Sequence, residues 1–197
     1  MTVLVALISL VLLSAFSTSL IVVVDTDVRA SANYAASREA MYAADGALNI
    51  AVHELQASAD WNTLLAGGAL SAFVDGPPTG ARPLGDGNSV DLAQATQAAN
   101  EEPRPWGANN PVWRLFGYGW LGPKTYVIAW IADDDSENDG DASIDGGGSS
   151  NPGAGILALR AEGFGTGGAH KVLEATARRE LQGGGSVVRI VSWQEIR

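Results

Sequence analysis

MTVLVALISLVLLSAFSTSLIVVV, residues 1–24, decides the fold. The stretch holds no charge, no glycine and no proline, and only Thr2, Ser9, Ser14, Ser17, Thr18 and Ser19 interrupt its apolar run. As a helix it would span roughly 36 Å at 1.5 Å per residue. A bilayer hydrocarbon core is about 30 Å thick, so the segment is long enough to cross it with some tilt. Inside lipid a lone segment satisfies its backbone only as a helix. The expectation is a membrane-spanning helix, with Met1, Val5, Leu12, Phe16 and Leu20 offered to lipid or to packed neighbours.

Outward from this stretch, nothing basic precedes the apolar run and the first charges, Asp25 and Asp27, follow it. A secretory signal would show a basic leader and a small-residue cleavage site. Neither is evident, and the helical pattern continues. Tyr34, Ser37, Met41, Ala44, Leu48, Ala51 and Leu55 recur at intervals of three and four, one apolar stripe. Asp25 and Arg29 stand i,i+4 and can pair. Gly46 interrupts at a cost of about 1 kcal/mol relative to Ala. One helix over 1–58 is expected, followed by a globular head over 59–197.

The head is read from breakers and β-formers. The first of 24 glycines is Gly46 and the first of 8 prolines is Pro77, so turns concentrate late in the chain. Residues 61–74 predict a short helix broken at Gly67-Gly68, 76–80 a loop, and 90–100 another short helix. Between Pro103 and Leu121 come Trp106, Trp113, Phe116, Tyr118 and Trp120. Such aromatics form either a docking surface or the core of a small head, and core burial is the favoured reading because they remove the most area from water. TYVIAWI (125–131), GILALRAEGF (155–164), KVLEATARRE (171–180) and SVVRIV (186–191) read as strands, the second and third joined by a glycine-rich connection. The expected architecture is α+β, an antiparallel sheet of about four strands packed on the upper half of a long helix.

Charge narrows the function. There are 22 acids against 12 Lys and Arg, which argues against a nucleic-acid partner, since that needs a basic face. The excess is local: Asp133, Asp134, Asp135, Glu137, Asp139, Asp141 and Asp145 crowd one stretch without a base, and 15 acids against 12 bases remain elsewhere. Alternating oxygen ligands with a glycine at the turn suit Ca²⁺, and no His or Cys nearby favours a softer ion. Asp134, Asp135, Glu137, Asp139, Asp141 and Asp145 are therefore candidate Ca²⁺ ligands. No Glu stands at position twelve, so this is not an EF-hand, and a solvated acidic loop is the competing reading. The chain has no cysteine, which removes disulfides and thiol chemistry.

Catalytic motifs are missing. No GxSxG, HExxH or phosphate loop occurs, and the two histidines, His53 and His170, stand far apart without motif partners. Both read as solvated surface residues. The loop acids are crowded on a Gly/Ser-rich segment without a rigid element, which argues against a glycosidase pair.

With these features in view, the chain resembles the type IV pilins. The resemblance rests on the apolar helix, on Arg38-Glu-Ala-Met-Tyr-Ala-Ala-Asp-Gly-Ala-Leu48, similar to a segment of PilX-type minor pilins, and on the acidic loop with the LRAEGFG strand pair. It covers about the first 55 residues well. It implies no enzyme but a subunit that starts in the bacterial inner membrane, its head outside the cytoplasm, and joins other pilins in a pilus at the cell surface. Supporting adhesion or twitching motility, and meeting a tip adhesin, belong to the same implication; a type II secretion pseudopilin or an anchored calcium-dependent binding module are the alternatives. Major pilins of this family carry a glutamate at the fifth mature position; if Met1 is the first mature residue, this chain has Val5 there. An intramembrane carboxylate costs about 2.5–3.5 kcal/mol and persists only with a purpose, so its absence points to a minor, tip-proximal subunit. The helix also lacks the proline that many pilins carry.

Overall fold

The computed structural model describes residues 1–136, 141–146, 154–183 and 185–196, without the side chain of Ala108. Contacts divide the chain into two units, Met1–Ala36 and Ser37–Arg197.

Helix α1 (Thr2–Ala57) supplies all of the first unit but Met1. It is the one helix, among the described residues, long and apolar enough to cross a membrane. Two of the hydroxyls that interrupt its apolar run bond back to the helix: Ser17 Oγ donates to Leu13 O at 2.8 Å and Thr18 Oγ1 to Ser14 O at 2.9 Å. The expected Asp25–Arg29 pair forms at 2.8 Å.

In the second unit, residues 37–57 of α1 lie on a five-stranded antiparallel sheet. Its strands are β3 (Arg114–Trp120), β4 (Tyr126–Asp133), β5 (Ile156–Phe164), β6 (His170–Gln182) and β7 (Gly185–Ile196), in sequential order. A separate ribbon pairs β1 (Ala81–Pro83) with β2 (Ser89–Asp91). Two short helices complete the head, α2 (Trp61–Leu65) and α3 (Leu92–Glu101).

The buried face of α1 is alanine-rich: Ala40, Ala43, Ala44, Ala47, Leu48, Ala51 and Leu55. It meets Val127, Ala129, Ile131, Leu157, Leu159, Ala161, Leu173, Ala175 and Ala177 from the sheet. Small side chains on both surfaces bring the backbones close. Gly46, a cost to the helix in isolation, is explained by this contact: a Cβ there would stand 2.7 Å from Leu121 Cδ2. The stripe differs from expectation at its start, for Tyr34 is exposed and Met41 only half-buried.

The sheet has five strands, not about four. The missed one is β3, whose Gly117 and Gly119 weaken any strand signal. Both are needed because residues 71–75 run along β3. Ser71 N donates to Phe116 O at 2.8 Å and Tyr118 N to Phe73 O at 2.9 Å, and a Cβ on Gly117 would meet Phe73 O at 3.3 Å. This segment, which the broken helix over 61–74 was expected to include, covers the β3 edge instead. Glu54 of α1 holds it, accepting from Ala72 N at 3.0 Å.

The opposite edge, β7, is longer than its expected six residues. Near its start the amide of Gln56 occupies the ladder positions, its Oε1 accepting from Val188 N at 2.5 Å and its Nε2 donating to Ser186 O. Further along, Val191 is an extra residue between the Ile190–Ala177 and Ser192–Thr176 pairs, a bulge that bends the edge. Arg179 of β6 fastens the end of α1: it donates to Ser58 O at 2.8 Å and Ala59 O at 3.1 Å, and its guanidinium lies 4.0 Å from the Trp61 ring centroid.

The aromatic run divides. Trp113, Phe116 and Tyr118 are buried as core, with Trp130 of β4, whereas Trp106 and Trp120 are exposed.

Candidate functional site

Strand alternation gives the sheet two chemically distinct faces. On β5, Leu157, Leu159 and Ala161 point toward α1, so Ala158, Arg160, Glu162 and Phe164 point to the other side. On β6 the same rule puts Val172, Glu174 and Thr176 on that second face. Over β4 this face is apolar, where Tyr126, Ile128, Trp130 and Ala132 are covered by Leu92 and Ala99 of α3 and by Trp113. Asp91 caps α3 by accepting from Gln94 N at 2.9 Å, and Thr96 Oγ1 receives Trp130 Nε1 at 2.8 Å. Asn100 at its far end clasps Trp113, donating to its carbonyl at 3.0 Å and accepting from its N–H at 2.7 Å.

Over β5 and β6 the face becomes charged. Arg160 is buried and donates to Glu102 Oε2 at 2.6 Å, Glu174 Oε1 at 2.9 Å and Glu162 Oε1 at 3.1 Å. Arg104 donates to both oxygens of Glu174. The other oxygen of Glu162 lies 2.8 Å from His170 Nε2, and the His170 ring stacks on Phe164 with centroids 4.5 Å apart. Burial pushes the Glu162 carboxyl up, but His170 and Arg160 together outweigh it and hold it below the usual carboxylate range. His170 is exposed as expected, though partnered rather than merely solvated; His53 is exposed.

Beside this network a polar cavity of about 220 Å³ opens on the same face. Arg104 and Trp113 stand on one side, Asp134 and Asp135 at the end of β4 on another, and Thr176 and Arg178 of β6 on its floor. Ser192 and Gln194 of β7 complete the floor, Ser192 Oγ donating to Thr176 Oγ1 at 2.8 Å. Two buried donors in these walls, Arg104 Nε and Trp113 Nε1, have no hydrogen-bond partner among the described residues. Arg178 makes no ion pair among them either.

The residues expected to bind Ca²⁺ separate. Glu137 and Asp139 lie outside the described residues. Asp134 is buried and accepts from Ser136 N and Oγ at 2.8 and 2.6 Å. Asp141 accepts from Ser143 Oγ and, at 3.0 Å, from Ser143 N, which together lower its pKa. Asp145 receives Gly155 N at 2.7 Å, and its own N–H donates to Asn62 Oδ1 at 2.6 Å, tying this end of the stretch to α2 and to the residue before β5. Burial raises the pKa of Asp135 and of Asp145, and the charge of Asp134 adds to both. Among the described residues no three His, Asp or Glu side chains converge as a metal-holding group.

Of the residues expected to face lipid or neighbouring helices, Met1, Val5, Leu12, Phe16 and Leu20 are all exposed on α1. Their spacing of four and seven keeps them on one side of the helix. Sequence reasoning missed the charge network and the cavity. The available signal was the alternation in LRAE and LEAT, where charges occupy every second position of apolar strands. Compared with family models, curated proteins and solved structures, the chain finds no match.

Proposed function

We propose that the chain is a minor pilin, a structural subunit that packs its apolar helix into a type IV pilus near the tip and primes or stabilises assembly. One observation carries the reading. An uncharged apolar segment at the start of α1 is continuous in sequence with a helix whose alanine-rich face is built into an antiparallel sheet. A plain membrane anchor needs only the first part; a helix shared between an apolar bundle and a head needs both. The reading assigns the chain no catalysis, and places it in the inner membrane before assembly and at the cell surface after it. Its partners are then other pilins through Met1, Val5, Leu12, Phe16 and Leu20, and a tip adhesin.

The absence of cysteine makes the test clean. Single cysteines at Leu12 or Phe16 would form disulfide cross-links to other pilins in sheared filament fractions, and deletion of the gene would reduce piliation and twitching. Cross-links confined to the membrane fraction, with piliation intact, would support the anchored binding module instead.

A calcium role stays within this reading: burial first, and the charge of Asp134 after it, raise the pKa of Asp135 and of Asp145, and a divalent cation there would favour their ionised form. Calorimetric titration of the full chain with Ca²⁺ tests it; no heat and no gain in melting temperature would remove calcium from the proposal.

A further inference from the structure

The cavity on the outer face of the sheet is not accounted for by a filament subunit. Its walls carry charge of both signs. Asp134 and Asp135 disfavour an anion there, while Arg178 disfavours a cation. Glu174 is already neutralised by Arg104 and Arg160. What such walls accommodate is a neutral group that donates and accepts at once, and the hydroxyl is the common group with that property. Donors stand ready in Arg178, Gln194 and Thr176, and acceptors in the carboxylates and Ser192. Pro111, Ile156 and Ala158 add an apolar patch to the same walls, which suits a ligand with one C–H face and a polar rim. The volume, about 220 Å³, lies below the roughly 300–1,000 Å³ of drug-sized sites. It therefore sets the occupant near a single ring.

We propose that this cavity, between the Asp134–Asp135 end of β4 and the Thr176/Arg178 and Ser192/Gln194 floor, binds a neutral polyhydroxylated ligand, one sugar ring of a glycan. The site lies wholly within the head and does not depend on the chain being a pilin. A head so equipped recognises a carbohydrate surface whatever anchors it.

The test uses the full chain in an amine-oxide detergent, which has no sugar headgroup. Glucose, galactose, mannose and N-acetylglucosamine are titrated, and binding is read by saturation-transfer NMR. At least one sugar is expected to saturate with a Kd of about 1–10 mM. Arg178→Ala and Gln194→Ala, both at exposed positions, should each weaken it about tenfold or more while leaving the melting temperature unchanged. No saturation by any of the sugars up to about 100 mM overturns the proposal. So does saturation that neither substitution alters, or that inorganic sulfate or Ca²⁺ displaces.

Discussion

Gly163 of β5 and Ala40 of α1 touch backbone to backbone: a Cβ built on Gly163 would stand 2.1 Å from the Ala40 carbonyl oxygen and 3.2 Å from Ala44 N. No rotamer change relieves such a clash, because both obstacles are main chain. Gly163→Ala is therefore expected to push helix and sheet apart and destabilise the head by about 3 kcal/mol or more, at the upper end of overpacking costs. Gly167→Ala is a useful contrast. Nothing lies within 4 Å of its Cβ position, but φ is +66°, so only the left-handed penalty of about 1–2 kcal/mol applies. Denaturant unfolding of both variants in detergent should give these unequal losses; equal ones would contradict the close approach.

Glu174 joins two guanidinium groups, those of Arg104 and Arg160, in the most buried part of the charged face. Removing one member of a buried network strands the others. Glu174→Gln should cost about 3–5 kcal/mol by leaving Arg160 with less compensation. Replacing Arg160, Glu162 and Glu174 together by apolar residues of similar volume should cost far less. Thermal unfolding of the single and triple variants decides the point.

The pH profile has two opposing components. Glu162 has a depressed pKa in the fold, so it contributes stability above its unfolded value of about 4.3, and that contribution is lost as pH falls through the lower folded value. Glu162→Gln should flatten the acid limb of a melting-temperature profile below about pH 4. Asp145 has a raised pKa, chiefly from burial, so its ionisation opposes folding as pH climbs above the unfolded value of about 3.9. Asp145→Asn keeps an acceptor for Gly155 N and should raise the melting temperature at pH 7 but not near pH 3.

Gln56 lends its side-chain amide to the start of β7, where a further strand would otherwise pair. Gln56→Ala should cost about 0.5–1.5 kcal/mol for the lost bonds. It should also promote self-association of the head through the bared edge. Light scattering of the variant against the parent chain, at matched detergent, measures the second effect. A variant that is less stable yet no more associated would show that the bulge at Val191 protects the edge unaided.

Much of this architecture could be read from residue patterns, and the exceptions have physical causes. The long helix, four of the strands and the α3 helix follow from local periodicity, which the chain carries openly. Strand β3 does not, because Gly117 and Gly119 look like breakers until Phe73 is seen lying against them. Residues 71–75 were hidden for the reciprocal reason, being extended only because β3 offers them a partner. The charged face joins Glu102, Arg104, Arg160, Glu162 and Glu174 across more than seventy positions, and no local pattern announces that meeting. Its raw material was nevertheless visible as charges alternating with Leu and Ala. The acidic stretch shows the opposite: seven carboxylates drew attention in the sequence, while Asp134, Asp141 and Asp145 each spend an oxygen on a nearby Ser or Gly.

That alternation has a bearing on how the sheet finds its alignment. If β5 slid by a single position against β4 and β6, Arg160 and Glu162 would turn inward beneath the helix, and Leu159 and Ala161 would take their places on the charged face. Misaligned sheets thus carry an electrostatic penalty on top of the lost apolar contact. The guanidinium and carboxylates act as a proofreading device for strand pairing in a domain that has no disulfide to enforce it.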